Sequence, residues 1–255
     1  MEKEALKSFL DEKADQFNAF TFIATDPIQV PHQYSDPRDI EIAAFLTAIL
    51  SWGQKATIIS KAGELLSMMQ GGPYEFIMES GDEQLEKFIP FVHRTFNGLD
   101  CIYFLRALQQ IYQRHGGLSQ IFERGFEVHG DLFDAIVQFR KIFFQFGEPG
   151  RTAKHLADPS KGSSAKRVNM FLRWMVRSDN RGVDFGIWKR IPMGALYIPL
   201  DVHTGSVARK LGLLKRKQND WTAVRELTER LKQFDPADPV RYDYALFGLG
   251  SFDRF

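Results

Sequence analysis

Cysteine is nearly missing from this chain: among 255 residues only Cys101 carries a thiol. One thiol cannot close a disulfide within the chain, hold an iron–sulfur cluster or complete a cysteine-rich zinc site. No run approaches the roughly 20 apolar residues that span a bilayer. The opening M-E-K-E-A-L-K-S-F-L-D-E-K mixes acids and bases and lacks the apolar stretch of a signal peptide. These absences make a cytoplasmic protein, away from membranes, the expectation. Strand signals are scarce too: Ala195–Leu200 is the one short extended candidate, and Pro199 weakens it. There is no internal repeat and no low-complexity tract.

What is present is ordinary globular material, 44% hydrophobic and 25% charged, enough to bury a core that 23 phenylalanines should make aromatic-rich. Helical periodicity dominates. Residues 2–20 place Ala5, Leu6, Phe9, Leu10 and Phe17 on one stripe. Asp36-Pro37 reads as a cap followed by proline at the first helical position. Ile40–Leu50 is apolar nearly all round, which predicts a central buried helix, and a further helix over Lys55–Met69 is closed by Gly71-Gly72-Pro73. Similar patterns predict helices over 73–79, 81–90, 99–112, 118–127, 132–144, 165–177, 202–211, 222–234 and 240–249. The fold class is therefore all-α, with about ten helices.

The net charge of +1 conceals an asymmetry. Residues 1–100 hold 8 Lys/Arg against 16 Asp/Glu, a balance of −8, whereas residues 151–217 hold 15 against 4, a balance of +11. A basic excess of that size suits a polyanion, because neutralising phosphates releases counterions. A solvated basic surface is the plainer explanation.

Two segments in the second half carry the chemistry. P-S-K-G-S-S-A-K-R-V-N-M-F-L-R-W-M-V-R, from Pro159 to Arg177, reads as a small polar turn opening a basic helix. Backbone amides of Gly162, Ser163 and Ser164 and the helix dipole would favour a phosphate there, assisted by Lys161 and Arg167, with Arg173 and Arg177 further along. Most such turns are simple caps. Lys166 falls in the first helical turn, where the dipole and Arg167 disfavour an ammonium, and a lysine nucleophile needs its free amine. Y-I-P-L-D-V-H, from Tyr197 to His203, ends in Asp201 at a helix start. Asp201 reads as an N-cap, and a carboxylate held there can also stabilise a developing positive charge. His203 is a structural or phosphate-contacting residue. No second ligand lies at a suitable spacing from His203; His155 could pair with it in space, but no metal or cofactor is expected.

The order of these segments resembles the helix–hairpin–helix superfamily of DNA glycosylases. D-I-E-I-A-A-F-L-T-A-I-L-S-W-G-Q matches the early helix leading to a cleft, G-S-S-A-K-R the hairpin with its lysine, and I-P-L-D-V-H-T-G-S-V-A-R-K-L-G-L the region of the essential aspartate. The hairpin lacks the usual second glycine and apolar spacer, and the 35-residue interval from Lys166 to Asp201 is closest to the archaeal 8-oxoguanine type. The resemblance implies two helical subdomains flanking a cleft: residues 39–180 as a helical barrel with the hairpin and Lys166, and residues 1–38 with 181–255 as a cluster contributing Asp201. It implies Lys166 and Asp201 as catalytic residues. It also implies a base pocket from Trp52, Gln54, Phe171 and Trp174, although aromatics at helical spacing usually pack inward. The implied activity is removal of an oxidised purine through a lysine imine, which could include AP-lyase cleavage. The partner is damaged double-stranded DNA, with no obligate protein partner. The alternatives are a non-catalytic DNA- or RNA-binding protein on the same fold and a helical protein-interaction domain.

Overall fold

The structure, a computed structural model, describes residues 2–251, 253 and 255. Helix accounts for 65% of the chain and strand for 2%, so the all-α class holds. Thirteen α-helices occur among the described residues: α1 (Lys3–Phe17), α2 (Phe20–Ile23), α3 (Pro37–Leu50), α4 (Lys55–Ser67), α5 (Pro73–Glu79), α6 (Asp82–Glu86), α7 (Gly98–His115), α8 (Leu118–His129), α9 (Leu132–Phe143), α10 (Lys166–Val176), α11 (Val202–Lys210), α12 (Trp221–Lys232) and α13 (Tyr242–Ser251). They form two compact units, one from residues 25–157 and the other from residues 1–24 with 158–255. The boundaries thus differ from those expected at 38/39 and 180/181. Lys166 belongs to the same unit as Asp201, not to the unit built around the buried helix.

The unit of residues 25–157 is organised by α3, whose residues Ile40 to Leu50 are all buried, as their unbroken apolar pattern predicts. Asp36 caps α3 by accepting from the Arg38 amide at 2.8 Å, and Pro37 fixes the first turn. Phe45 packs among Phe104, Phe139 and Phe143, drawing α3, α7 and α9 together. Glu41 is the exception in this apolar helix. Its carboxylate accepts from Leu118 N (2.9 Å), Ser119 N (3.1 Å) and the Tyr112 hydroxyl. It therefore caps α8 from a distance, offsetting its own burial. Glu41→Gln keeps the shape but turns one acceptor into a donor facing these amides. The expected cost is about 1–3 kcal/mol of unfolding free energy, measured by urea denaturation.

A two-stranded antiparallel ladder, β1 (Val92–His93) with β2 (Phe96–Asn97), is the only one among the described residues. Two-residue strands are too short to show period-2 patterning. Of Ala195–Leu200, the expected strand candidate, Ala195 ends a 3-10 turn and the rest continues as an unladdered extended run, with Ile198 N donating to Thr228 Oγ1 at 3.1 Å.

The second unit is held by α13, which packs on α1 and α11. Contact with α1 is close because of Gly248: a Cβ there would lie 2.1 Å from the Phe17 ring. That packing orients the polar residues at the start of α13 described next.

Candidate functional site

Lys166 owes its position to the turn before it. Asp158 caps a 3-10 turn over Pro159–Lys161, and Gly162 then takes a left-handed φ of +85°. Ser163 bridges antiparallel to Asp220, and Trp221 N donates to Gly162 O at 3.1 Å, so the start of α12 fixes the turn. Ala165 is also left-handed, at φ +47°, and α10 begins at Lys166. Two of the three amides expected to receive a phosphate, those of Gly162 and Ser163, serve the turn itself. Gly162 N donates to Pro159 O, Ser163 N to Asp158 O, and Ala165 N to Ser163 Oγ. The phosphate-cradle role of Gly162 and Ser163 is therefore corrected: they close the turn. Asn169 Nδ2 occupies the Ser164 carbonyl at 3.1 Å. The element before the turn is 3-10, not the α-helix of a helix–hairpin–helix.

Asp201 is reached by the buried run Leu196 to Leu200 and caps α11, Oδ1 accepting from Thr204 N at 2.9 Å. Its backbone carbonyl takes Asn219 Nδ2 at 3.0 Å, which anchors the cap further. The second carboxylate oxygen, Oδ2, lies 3.7 Å from Lys166 Nζ. Both side chains reach solvent, with 27% and 19% of their surface exposed. The starts of α10 and α11 thus meet as an ion pair at the surface, and one carboxylate both caps and faces an amine.

Behind that pair lies a charged cluster that periodicity does not reveal. Arg173 stands seven residues beyond Lys166, two turns along the same face of α10. It is buried, bonded through Nε to Asp184 at 3.2 Å and through Nη1 to Asp243, with its guanidinium 4.5 Å above the Tyr244 ring. Arg177 is buried among Asp179, Asp184 and Asp238 at 2.9, 3.0 and 2.9 Å. Neither arginine can reach DNA, so their expected DNA-binding role is corrected: their charge is spent on buried carboxylates.

Asp243, on α13, is the residue that sequence reasoning missed. Burial pushes its carboxyl up to about 6; Arg173 and Lys166 pull the other way, while Asp201 and Asp184 add to the rise. Its Oδ1 is buried without a hydrogen-bond partner. A raised carboxyl binds protons more tightly folded than unfolded, so stability falls as pH rises from about 4 to about 6. In the wild type this costs on the order of 3 kcal/mol across that window. Asp243→Asn should flatten that slope, so the wild type's lead over the variant should shrink between pH 4 and 7. Thermal unfolding of both proteins over that range measures it.

The remaining candidates divide. Lys161 and His203 are exposed, His203 lying on the first turn of α11. Arg167 is half-buried, and burial pulls its guanidinium down to about 10, which leaves it charged at neutral pH. Phe171 and Trp174 are wholly buried, Phe171 edge-on to Trp188 at 5.3 Å, so they are core and not base pocket. Trp52 and Gln54 belong to the other unit. There Gln54 is exposed at the start of α4. Trp52 is half-buried, stacked on His155 at 5.9 Å and edge-on to His93 at 4.8 Å. His155 in turn lies 3.3 Å from the fully buried Asp100. Among the described residues no group of three or more His, Cys, Asp or Glu is arranged to hold a metal ion, and no helix is long and apolar enough to cross a membrane.

The chain matches no curated protein and no solved structure. Residues 26–252, which contain both the Lys166–Asp201 pair and Asp243, match the family described as "Protein of unknown function (DUF2400)", and the chain belongs to that family.

Proposed function

We propose that the protein is a base-excision DNA glycosylase acting on an oxidised purine of the 8-oxoguanine kind through a lysine imine. The observation that carries this reading is the partly exposed pair of Lys166 Nζ and Asp201 Oδ2, 3.7 Å apart at the starts of two helices. Lys166 attacks C1′ of the damaged nucleotide as the base departs. Asp201, held by its cap bond to Thr204, stabilises the cationic sugar as it forms. The imine that follows permits strand cleavage at the same residue. Extruding the base from the duplex costs a few kcal/mol, least for a damaged pair. Exposed Lys161 and His203 supply phosphate contacts near the starts of the two helices, and Arg167 adds a charge beside Lys166.

One observation favours a second reading, that of a DNA- or RNA-binding protein without catalysis: the amides of Gly162 and Ser163 are consumed inside the turn. Borohydride reduction separates the two. Wild-type protein incubated with duplexes bearing 8-oxoguanine or an abasic site should yield a covalent protein–DNA species on reduction. Salt-sensitive binding with no such species on either duplex sinks the glycosylase and leaves the binder.

A further inference from the structure

Two non-glycine residues among those described have a left-handed backbone, Ala165 at φ +47° and Arg94 at φ +54°. Ala165 belongs to the turn that opens α10. Arg94 lies in the unit of residues 25–157, at the tip of the β ladder: His93 pairs with Phe96, so Arg94 and Thr95 form a two-residue turn. Such turns want a positive φ at the first central residue, where glycine is at ease and an arginine is strained. The surroundings enforce the strain. Arg151 donates through Nη2 to Thr95 O at 2.7 Å and through Nη1 to Asp100 Oδ2 at 2.9 Å. Asp100, wholly buried, also accepts from the Asn97 amide at 3.0 Å and the Thr152 hydroxyl at 2.7 Å, which ties the ladder to α7. Strain fixed so firmly by its surroundings marks a side chain that is being presented.

What is presented is a guanidinium without a counter-charge. Arg94 is exposed and forms no ion pair or hydrogen bond among the described residues, although residues 1–100 hold 16 acids. Its neighbour Arg151 is already committed to Asp100. The Arg94 guanidinium lies against the backbone of Gly53, where a Cβ would sit 2.7 Å from Nη1, and Gly53, at φ +109°, keeps that room open. Gly53 adjoins Trp52, whose half-buried ring meets His93 edge-on at 4.8 Å. An arginine with no protein acceptor and an indole with part of its ring at the surface therefore stand side by side. His93 adds no charge between them: burial holds its imidazole below the ordinary range, and Arg94 and Lys61 push the same way.

We propose that Arg94 and Trp52 form a nucleic-acid contact on this unit, Arg94 gripping a phosphate of an unpaired strand while an adjoining base lies against the Trp52 ring. A guanidinium fork matches two phosphate oxygens, and an indole offers its face to any base, so the pair suits a strand of any sequence. Free phosphate or an acidic peptide would engage the guanidinium and leave the indole idle. The inference rests on nucleic acid being the partner, as both readings above hold, and on no step of the Lys166 chemistry.

The test is fluorescence anisotropy with a labelled single-stranded DNA oligonucleotide between about 50 and 200 mM salt, run beside thermal unfolding. Arg94→Gly should bind about 10-fold more weakly at the low-salt end. Its plot of log K against log salt should be shallower by about 0.7, the share of one phosphate on a single strand. Glycine is at ease in the left-handed turn, so the same variant should melt about 2–4 °C higher. Arg94→Asn, which also tolerates that backbone, should weaken binding equally. Trp52→Leu should weaken binding about 10-fold with the salt slope unchanged. A purely structural Arg94 predicts the opposite pattern, a lower melting temperature with the slope intact. That pattern, or wild-type binding in either Arg94 variant or in Trp52→Leu, overturns the proposal and leaves the functional readings standing. Displacement of the labelled strand by inorganic phosphate or poly-glutamate as readily as by unlabelled DNA would leave the indole without a role and overturns it too. If wild type binds neither single-stranded nor duplex DNA at low salt, the proposal falls together with the readings it rests on.

Discussion

Lys166→Met is expected to abolish covalent capture on both an 8-oxoguanine duplex and an abasic-site duplex, whereas Asp201→Asn should affect the two unequally. Methionine keeps the unbranched stem and removes the only proposed nucleophile, so no slower version of the same reaction is left. Asparagine is different. It caps a helix as well as aspartate does, and its side-chain oxygen can still accept from Thr204 N, so the start of α11 should survive with stability changed by a few tenths of a kcal/mol. What it lacks is the negative charge. Base release passes through a cationic sugar and should fall by about 10²–10³-fold, the usual effect of losing one oriented electrostatic group. Trapping on a preformed abasic site develops no such cation and should fall far less. Single-turnover base release and trapping, run side by side, give the ratio. Equal losses on both substrates would mean that Asp201 serves Lys166 and not the sugar. Full activity in Lys166→Met would remove the lysine from the chemistry altogether.

The pairing of Lys166 with Asp201 was legible because each residue announces itself locally, one by a turn that opens a helix and the other by a cap after a buried run. The buried helix of Ile40–Leu50 and the Asp36-Pro37 start were legible for the same reason, since periodicity and caps are written in neighbouring residues. The fate of the arginines was not. K-R-V-N-M-F-L-R-W-M-V-R reads as a basic helix offered to phosphate, yet Arg173 and Arg177 are interior. Apart from Asp179, two residues beyond Arg177, their partners Asp184, Asp238 and Asp243 lie 7 to 70 residues away, outside the span of one helical turn. The same holds for the charge asymmetry, part of which is internal pairing: Arg181 meets Asp15 at 2.6 Å, joining the basic segment to the acidic start of the chain. The turn at Gly162 misled in another way, because side-chain composition does not say which backbone amides are already occupied. A usable signal did exist for the missed residues. Glu41 and Asp243 are each an acid set in an otherwise apolar helical pattern, and each has burial matched by a distant partner. An acid that breaks an apolar helix is therefore worth reading as a buried anchor before it is dismissed as a solvated exception.

Arg177→Ala should be the most destabilising single change in the unit of residues 1–24 and 158–255. Arg177 is 2% exposed and spreads its fork over three carboxylates, with Nε and Nη2 on Asp238 and Nη1 shared by Asp184 and Asp179. Asp184 would retain Arg173 and the Tyr244 hydroxyl at 2.8 Å. Asp238 has no such reserve: burial already pushes its carboxyl up, and Arg177 is the counter-charge that opposes the rise. Truncation strands it, and breaking one side of a buried ion pair costs about 3–5 kcal/mol. A loss of that size corresponds to a melting temperature lower by roughly 10 °C. Arg177→Lys should recover little, since one ammonium cannot serve three carboxylates in the geometry of a planar fork. Two further results identify the cause. Adding Asp238→Asn to Arg177→Ala should return part of the stability by removing the stranded charge. The deficit of Arg177→Ala should also shrink as pH falls, because a carboxyl whose folded value is raised gains stability on protonation. Thermal unfolding of the four proteins between pH 4 and 8 reads all of this. A deficit independent of both Asp238 and pH would assign the loss to the vacated volume of the arginine stem, and the cluster behind the Lys166–Asp201 pair would then be packing with charges on it, not an electrostatic scaffold.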